Sequence, residues 1–330
     1  MRVARAVSAI IGAAAFTAAS AAPAAAAGVS GADLSLLWGI PFAGLLLSIA
    51  LMPLLAGHIW HHHYGKIAAG WAVLLVLPFA IAFGPQVAAS EVWHILLQEY
   101  IPFIALLLAL YVTGGGVLLK GTLLGTPAVN TALLAFGTLI ASVMVTTGAS
   151  MHLIRPVLRA NAFRKRKTHT FVFLFLVAII GGSLTPLGDP PLYLGFLKGV
   201  SFFWTTQHLF FEFLVCAVIL LAVYYVLDSI AWAREKPIVP DTGAREPLRV
   251  EGTVNLLLIG GVVAMVLAQG YWRPGDVAIL GDRIGLERLV GIAVFVVIAW
   301  VSMRVTSLEL REANGFAWGA ILEVAKLFAA

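Results

Sequence analysis

The segment GGSLTPLGDPPLYLG, residues Gly181–Gly195, is the most informative part of this chain because it stops a helix in the middle of an apolar run. Three prolines lie within six of its residues, and proline has no amide proton and clashes with the preceding helical turn. Apolar segments flank the interruption, Thr170–Gly182 before it and Leu192–Val200 after it. The sequence therefore predicts two half-helices whose free carbonyls and amides must find partners, because an apolar setting penalises unpaired polar groups.

The composition of the whole chain predicts a membrane protein. Of its 330 residues, 61% are hydrophobic and 11% are charged, against roughly 45–50% and about 25% in soluble domains. The net charge of +5 comes from cations in short loops between apolar runs, so these cations are topology signals and not a nucleic-acid surface. We expect a multi-pass protein in a bacterial-type inner membrane, in contact with lipid.

The ends of the chain differ from its middle. Arg2 and Arg5 precede a short apolar stretch and an alanine-rich tract, which predicts a signal peptide over residues 1–27, with an uncleaved anchor as the alternative. Residues 28–314 then form the transmembrane transporter domain, a first repeat with scaffold helices. The chain stops within the apolar run 315–330, which we interpret as the start of a truncated second repeat.

Six ordinary spans alternate across the membrane from an outer start, since each has about the length needed to cross. They are Leu34–Leu55, Ile67–Phe83, Ile101–Leu119, Leu209–Leu227, Val254–Ala268 and Leu289–Val305. A polar connection with Gln86, Glu91 and Gln98 is expected outside, and so is the longer tract Tyr271–Arg288.

One apolar segment conflicts with this alternation. Ala128–Val145 is long enough to cross, but the six cations of Arg155–Lys167 follow it, and a full crossing would place them outside, against the positive-inside rule. A re-entrant hairpin resolves the conflict: the chain turns at depth in Thr146–Ser150 and returns through Met151–Ala160. Such a turn requires protein or a water-filled cavity around its backbone.

The helix break carries the strongest chemical signal. An acid at this depth, Asp189, costs ~2.5–3.5 kcal/mol on insertion scales. Together with Ser183, Thr185 and the backbone around Gly188 it would form an all-oxygen site for a hard cation such as Na⁺, and it would take a proton when no cation is bound. The alternative is that Asp189 only caps the second half-helix.

The tip of the predicted hairpin supplies further hydroxyl groups. These belong to Thr146, Thr147 and Ser150, which would face the break across the cavity. Alternatively they bond to their own helix backbone. The predicted site needs no cofactor, and Na⁺ and H⁺ would be the transported ions.

A group of histidines lies in the predicted loop after the first span. Its members are His58, His61, His62 and His63, and residues three or four apart share a helix face and could hold a metal. No carboxylate or cysteine lies near them in sequence. We therefore favour a solvated interfacial loop over a metal site.

These motifs resemble the ion-transporter superfamily of NhaD-type sodium/proton antiporters, arsenite carriers and citrate or dicarboxylate carriers. Ser183–Asp189 is similar to the antiporter branch, and the front half of the chain resembles a citrate-transporter-like branch. The resemblance implies an all-α fold of two inverted repeats, each with a re-entrant hairpin and a broken transmembrane helix, usually in a homodimer. Antiporter relatives carry Asp-Asn at the first hairpin tip, where this chain has Thr146-Thr147, so the transported ion stays open.

Three functions follow from these observations. Sodium or other cation exchange for protons comes first, sodium-coupled transport of citrate or another dicarboxylate comes second, and a membrane metal enzyme using the histidines is a distant third. A carboxylate carrier would need amides, hydroxyls or an arginine at the cavity. An enzyme would need a second acid or nucleophile near the histidines, so we do not expect an enzyme.

Overall fold

The computed structural model describes residues 34–144, 146–235 and 247–329. The predicted signal peptide, residues 1–27, lies outside these ranges. Within them, seven helices are long and apolar enough to cross a membrane, and a shorter apolar helix covers Thr168–Leu184. The prediction of an all-α polytopic membrane protein is thereby confirmed.

The described helices are α1 (Ile40–Leu55), α2 (Gly57–Phe83), α3 (Pro85–Ile95), α4 (Ile101–Gly114), α5 (Pro127–Met144), α6 (Thr146–Ala160), α7 (Thr168–Gly181), α8 (Pro190–Leu197), α9 (Trp204–Glu235), α10 (Val254–Tyr271), α11 (Leu286–Val305), α12 (Leu308–Asn314) and α13 (Trp318–Phe328). Short strands form two antiparallel pairs: β1 (Leu118–Lys120) with β2 (Arg249–Glu251), and β3 (Asp276–Ile279) with β4 (Asp282–Gly285).

Two predicted connections are helical instead of loops. The prediction of a loop at the four histidines is wrong, because α2 begins at Gly57 and contains all four of them. The polar tract before the third span is helical as well, because a π-helical turn, Leu96–Tyr100, joins α3 to α4 without a gap. Its placement outside stays a prediction. Polarity alone does not end a helix, and only a strong breaker such as proline does so reliably.

The third predicted span ends early. Helix α4 stops at Gly114, and the residues up to Lys120 turn and form β1 instead of continuing the helix. Leu119 pairs with Val250 of β2, 131 positions later by residue number. A pairing partner so distant in sequence cannot be read from local hydropathy.

The buried side chains form two main groups of helices. One cluster joins α4, α8, α10 and α11, with Phe103, Tyr193 and Val262 among its members. The other joins α5, α6, α7 and α9 around Leu134 and Tyr224. The two halves of the broken helix therefore belong to different groups, since α7 packs in the second cluster and α8 in the first. The helix break lies where these groups meet.

Candidate functional site

Helices α5 and α6 form a tight antiparallel hairpin. At its base the Gly125 amide donates to the carbonyl of Ala160 at 2.8 Å. Midway along, a Cβ on Gly137 would lie 2.3 Å from Leu153 Cδ1, so the helices approach closely there. The end of α6 therefore lies beside the residues that precede α5.

The segment predicted as the hairpin turn is helical. Thr146–Ser150, expected as a loop, is the first turn of α6. Thr146 is partly buried and Ser150 is buried, while the side chain of Thr147 lies outside the described part of the structure. Threonine and serine suit a helix start, where their hydroxyls can bond to nearby backbone groups.

The predicted helix break is present. Helix α7 ends at Gly181, a 3₁₀ turn covers Gly182–Leu184, and Thr185 is extended with φ −140° and ψ 157°. Asp189 is also extended, and α8 begins at Pro190. Proline at the first position of a helix is favoured because its missing amide proton would be unpaired there anyway.

The hairpin tip and the helix break are in direct contact. The Thr146 amide donates to the Gly188 carbonyl at 3.0 Å. Gly182 lies between them, since a Cβ there would be 2.3 Å from Thr146 Cγ2 and 3.0 Å from the Gly188 oxygen. A Cβ on Gly188 would lie 2.2 Å from the Gly182 oxygen. The structure thus brings Thr146 of the predicted hairpin tip into contact with Gly182 and Gly188 of the predicted helix break.

The two candidate hydroxyls of the break donate to backbone carbonyls. Ser183 Oγ donates to the carbonyl of Ile180 at 2.7 Å, and Thr185 Oγ1 donates to the carbonyl of Ser142. Thr185 Oγ1 also accepts the Leu187 amide at 3.2 Å. A hydroxyl oxygen has two acceptor lone pairs, so donation of the proton leaves Ser183 Oγ able to accept or to bind a cation.

Asp189 occupies the N-cap position of α8 without capping it through its side chain. Its carbonyl accepts the amides of Leu192 and Tyr193 at 3.1 and 3.3 Å. Its carboxylate makes no hydrogen bond or ion pair with any residue in the described ranges, although the residue is partly buried. This observation argues against the alternative in which the side chain serves only as a cap.

Sequence reasoning missed three residues that support the break. Ser142 of α5 donates to the Gly181 carbonyl, and Thr205 and Thr206 of α9 donate to the Leu184 carbonyl at 2.9 and 2.6 Å. Protein hydroxyls therefore donate to the Gly181 and Leu184 carbonyls, which the sequence predicted to be free to bind an ion. The one available signal was Ser142, which lies four residues after Thr138 and so shares its helix face.

The base of the hairpin contains a buried ion pair. Arg164 Nη2 lies 2.7 Å from Asp228 Oδ1, and both side chains are 0% exposed. His169 Nε2 lies 2.7 Å from the same oxygen, and Asn130 Nδ2 donates to Oδ2 at 3.1 Å. Arg164 lies in the cation-rich loop after α6, where Asp228, 64 positions later by residue number, neutralises it inside the protein.

Three of the histidines lie close together, with ring centroids 4.7 Å apart for His58 and His62 and 6.5 Å apart for His62 and His63. All four are exposed in the first turns of α2, and His62 Nδ1 lies 2.9 Å from the carbonyl of His58. In the ranges that the structure describes, no three histidine, cysteine or acidic side chains are placed to hold a metal ion. The interpretation of these histidines as an interfacial surface stays a prediction.

Comparison with known proteins identifies one family. A family model described as "Putative citrate transport" matches residues 31–330. No curated protein and no solved structure matches the chain.

Proposed function

Because the chain belongs to the citrate transport family that residues 31–330 match, we propose that it is a secondary active transporter that exchanges Na⁺ for protons at Asp189. The observation that carries this proposal is the Asp189 carboxylate, which has no protein partner in the described ranges and lies at the contact of the hairpin tip with the helix break. An acid at membrane depth costs ~2.5–3.5 kcal/mol, which a bound cation or proton would offset.

The backbone beside Asp189 favours a cation over an anion. A helix start normally presents free amides to an anion, but Pro190 and Pro191 occupy the first two positions of α8 and have no amide protons. The next two amides, of Leu192 and Tyr193, donate to the Asp189 carbonyl. A carboxylate substrate would therefore meet a negative side chain and none of these first amides.

The nearest candidate cations for an anion site are engaged elsewhere. Arg155 Nη1 donates to the carbonyls of Glu312 and Ala313 at 3.1 and 2.7 Å. It also lies nine residues beyond Thr146, roughly 13 Å along α6. Arg159 donates to the Leu119 carbonyl at 3.3 Å near the hairpin base. Neither guanidinium supplies positive charge at the helix break.

In the proposed transport cycle, Na⁺ and a proton compete for the carboxylate of Asp189. Ionised Asp189 would hold Na⁺ together with oxygen ligands such as the free lone pair of Ser183 Oγ, because hard cations prefer oxygen. Protonation would remove the charge and release the cation. The break lies between two separately packed groups of helices, so relative movement of these groups could expose Asp189 to either side in turn. In this proposal the hairpin is re-entrant and its tip moves with the break.

Sodium-coupled carboxylate transport is the second candidate. The description of the matching family favours it. In that case Na⁺ at Asp189 would supply the positive charge that the helix break lacks, and a carboxylate would bind only after the cation. The two candidates therefore share the Asp189 cation site and differ in the second transported species.

Reconstitution of the protein in liposomes tests the proposal. A Na⁺ gradient should drive proton movement, reported by an internal pH dye, in the absence of any carboxylate. Asp189→Asn keeps the shape of the side chain but removes its charge, so exchange should fall to background while the amount of inserted protein stays normal. Ser183→Ala should mainly raise the Na⁺ concentration needed, because it removes one neutral ligand.

Two results would contradict this assignment. Exchange by Asp189→Asn at near-parent rates would exclude the carboxylate as the carrier. Proton movement that requires citrate and scales with its uptake would instead establish the coupled carboxylate transporter.

A further inference from the structure

A cavity of about 430 Å³ lies at the far end of α8 from Asp189. It is bounded by the end of α8 and the loop after it, the end of α10, and the residues around β3 and the start of α11. We call it the loop-side cavity. Lys198 lines it and is already paired with Glu99. The other ionisable and amide-bearing lining residues are Gln269, Arg273, Asp276, Glu287 and Arg288.

The remaining charges of the cavity balance each other. The cations are Arg273 and Arg288, and the acids are Asp276 and Glu287. Neither carboxylate makes a hydrogen bond or an ion pair with any residue in the described ranges. A cavity that has both signs of charge and no net charge is complementary to a ligand that also carries both.

The acceptors of the cavity are neighbours. Gln269 is 7% exposed, and its Nε2 donates to the carbonyl of Glu287 at 3.2 Å. The Leu286 amide donates to the Gly275 carbonyl at 2.9 Å, which brings Asp276 into the same region. Gln269 Oε1 is buried and has no hydrogen-bond partner in the described part of the chain. A ligand with N–H donors would satisfy this oxygen.

The side chain of Gln269 is fixed in this position. Exchanging its amide oxygen and nitrogen would set an oxygen against the Glu287 carbonyl, so the orientation with Oε1 unpaired is the favourable one. A Cβ on Gly291 of α11 would overlap the amide, which therefore cannot swing towards α11. A fixed acceptor is what a site needs to select one ligand group, because a mobile one would adapt to several.

The cations of the cavity remain able to hold a carboxylate. Arg288 donates to the carbonyl and Oε1 of Gln98 at 3.2 and 2.7 Å and to the Leu197 carbonyl at 2.6 Å. These acceptors are neutral and fix the guanidinium without cancelling its charge. Arg273 is exposed and makes no hydrogen bond or ion pair within the described ranges. Guanidinium groups bind carboxylates through strong, charge-assisted hydrogen bonds.

We propose that the loop-side cavity binds an α-amino acid in its zwitterionic form. The ammonium group has three N–H donors and no acceptor, and it would donate to Gln269 Oε1 and to the carboxylates of Asp276 and Glu287. The ligand carboxylate would accept from Arg273 and face Arg288. A simple anion would leave the acids and the amide oxygen unpaired, and a simple cation would leave the guanidinium groups unpaired.

This site is separate from the cation site. Phe196 in the wall of the cavity lies seven residues beyond Asp189, roughly 10 Å along α8. An amino acid in the cavity would therefore contact the end of α8 and would not compete with Na⁺ at Asp189. The proposal does not depend on cation exchange.

Thiol labelling of the whole protein in detergent micelles tests this site. Ser201 is exposed and lines the cavity, so Ser201→Cys in a Cys216→Ser background should react with a charged methanethiosulfonate reagent. Alanine should slow this reaction. N-trimethylated alanine keeps both charges but has no N–H donor, so half protection should need at least about tenfold higher concentration. Propionate and ethylammonium each lack one of the two charges and should also need at least about tenfold more.

Variants separate the buried acceptor from the charge. Gln269→Met removes the acceptor at similar volume and should raise the alanine concentration for half protection at least about tenfold, with less than about twofold change for trimethylated alanine. Arg273→Gln should weaken protection by both zwitterions equally. Arg283→Gln is the matched control, since Arg283 is an exposed cation on β4 that does not line the cavity, and it should change neither.

The labelling rate without ligand should be the same in every variant, which reports an intact cavity. Absence of protection by alanine, equal protection by trimethylated alanine, or an unchanged ratio in Gln269→Met would overturn the proposal. Propionate as effective as alanine would overturn it too, by assigning the cavity to anions, and ethylammonium as effective as alanine would assign it to cations. Asp189→Asn should keep the alanine protection, so loss of cation exchange and loss of this site are separate outcomes.

Discussion

Substitution of Asp228 by asparagine should destabilise the protein strongly. Asp228 on α9 is the point where α5, α7 and the loop after α6 meet, through Asn130, His169 and Arg164 respectively. Arg164 Nη1 donates to Asp228 Oδ2 at 2.9 Å. Asparagine keeps the shape and one acceptor but removes the charge that neutralises the guanidinium.

The expected magnitude follows from burial. Both side chains of the pair are 0% exposed, and removal of one partner from a buried pair costs about 3–5 kcal/mol because the other charge stays buried. Glu235 lies 3.8 Å from Arg164 Nε and compensates in part, so we expect about 3 kcal/mol, near the lower end of that range. Glu251→Gln is the matched control, because the Lys120–Glu251 pair is 48% and 39% exposed and such pairs contribute about 0–1 kcal/mol.

Denaturant unfolding in detergent, followed by circular dichroism at 222 nm, would measure both variants against the parent. The double variant Arg164→Met/Asp228→Leu should recover most of the loss, because it removes both charges of the buried pair. If Asp228→Asn lowered the free energy of unfolding by less than about 1 kcal/mol, as an exposed pair would, the buried pair would not hold the hairpin base.

Three further predictions concern topology and the site. In a variant without the native cysteine, single cysteines at Lys120 and Lys165 should react only from the cytoplasmic side, since β1 and the hairpin base lie together; labelling from opposite faces would mean a full crossing. Gly188→Ala should abolish exchange, because the new Cβ would lie 2.2 Å from the backbone oxygen of Gly182. The control is Gly260→Ala, where nothing lies within 4 Å, and equal activity of the two would refute close packing at the break. Substitution of His58, His61, His62 and His63 by glutamine should leave exchange within a few-fold of the parent. Loss of activity together with loss of a bound metal would instead favour the metal enzyme.

The helix break was predictable because its cause is local. Proline lacks an amide proton wherever it occurs, so the interruption before Pro190 required no tertiary information. The re-entrant hairpin stays a prediction, which rests on the positive-inside rule because that rule links the cations after Ala160 to the side on which the chain must return. Both features are properties of short segments and of the solvent around them.

The errors also have a common physical origin. Local polarity predicted a loop around His58–Lys66 where the helix continues, and local hydropathy extended the third span past Gly114 where a strand begins. Helix ends depend on caps, breakers and distant pairing more than on hydrophobicity. The strand pairing of Leu119 with Val250 is such a distant effect.

The sequence alone was enough to predict a membrane protein, a helix break within Gly181–Gly195 and an acidic residue, Asp189, in that break. Only the tertiary structure decided which groups satisfy the opened backbone, with Ser142 and Thr205 taking carbonyls and Asp189 left without a protein partner in the described ranges. Proline's effect on the backbone and the preference of apolar residues for lipid act on each segment separately, so both can be predicted from the sequence. Hydrogen bonds and ion pairs between helices depend on how separate segments pack, and no local pattern records that arrangement.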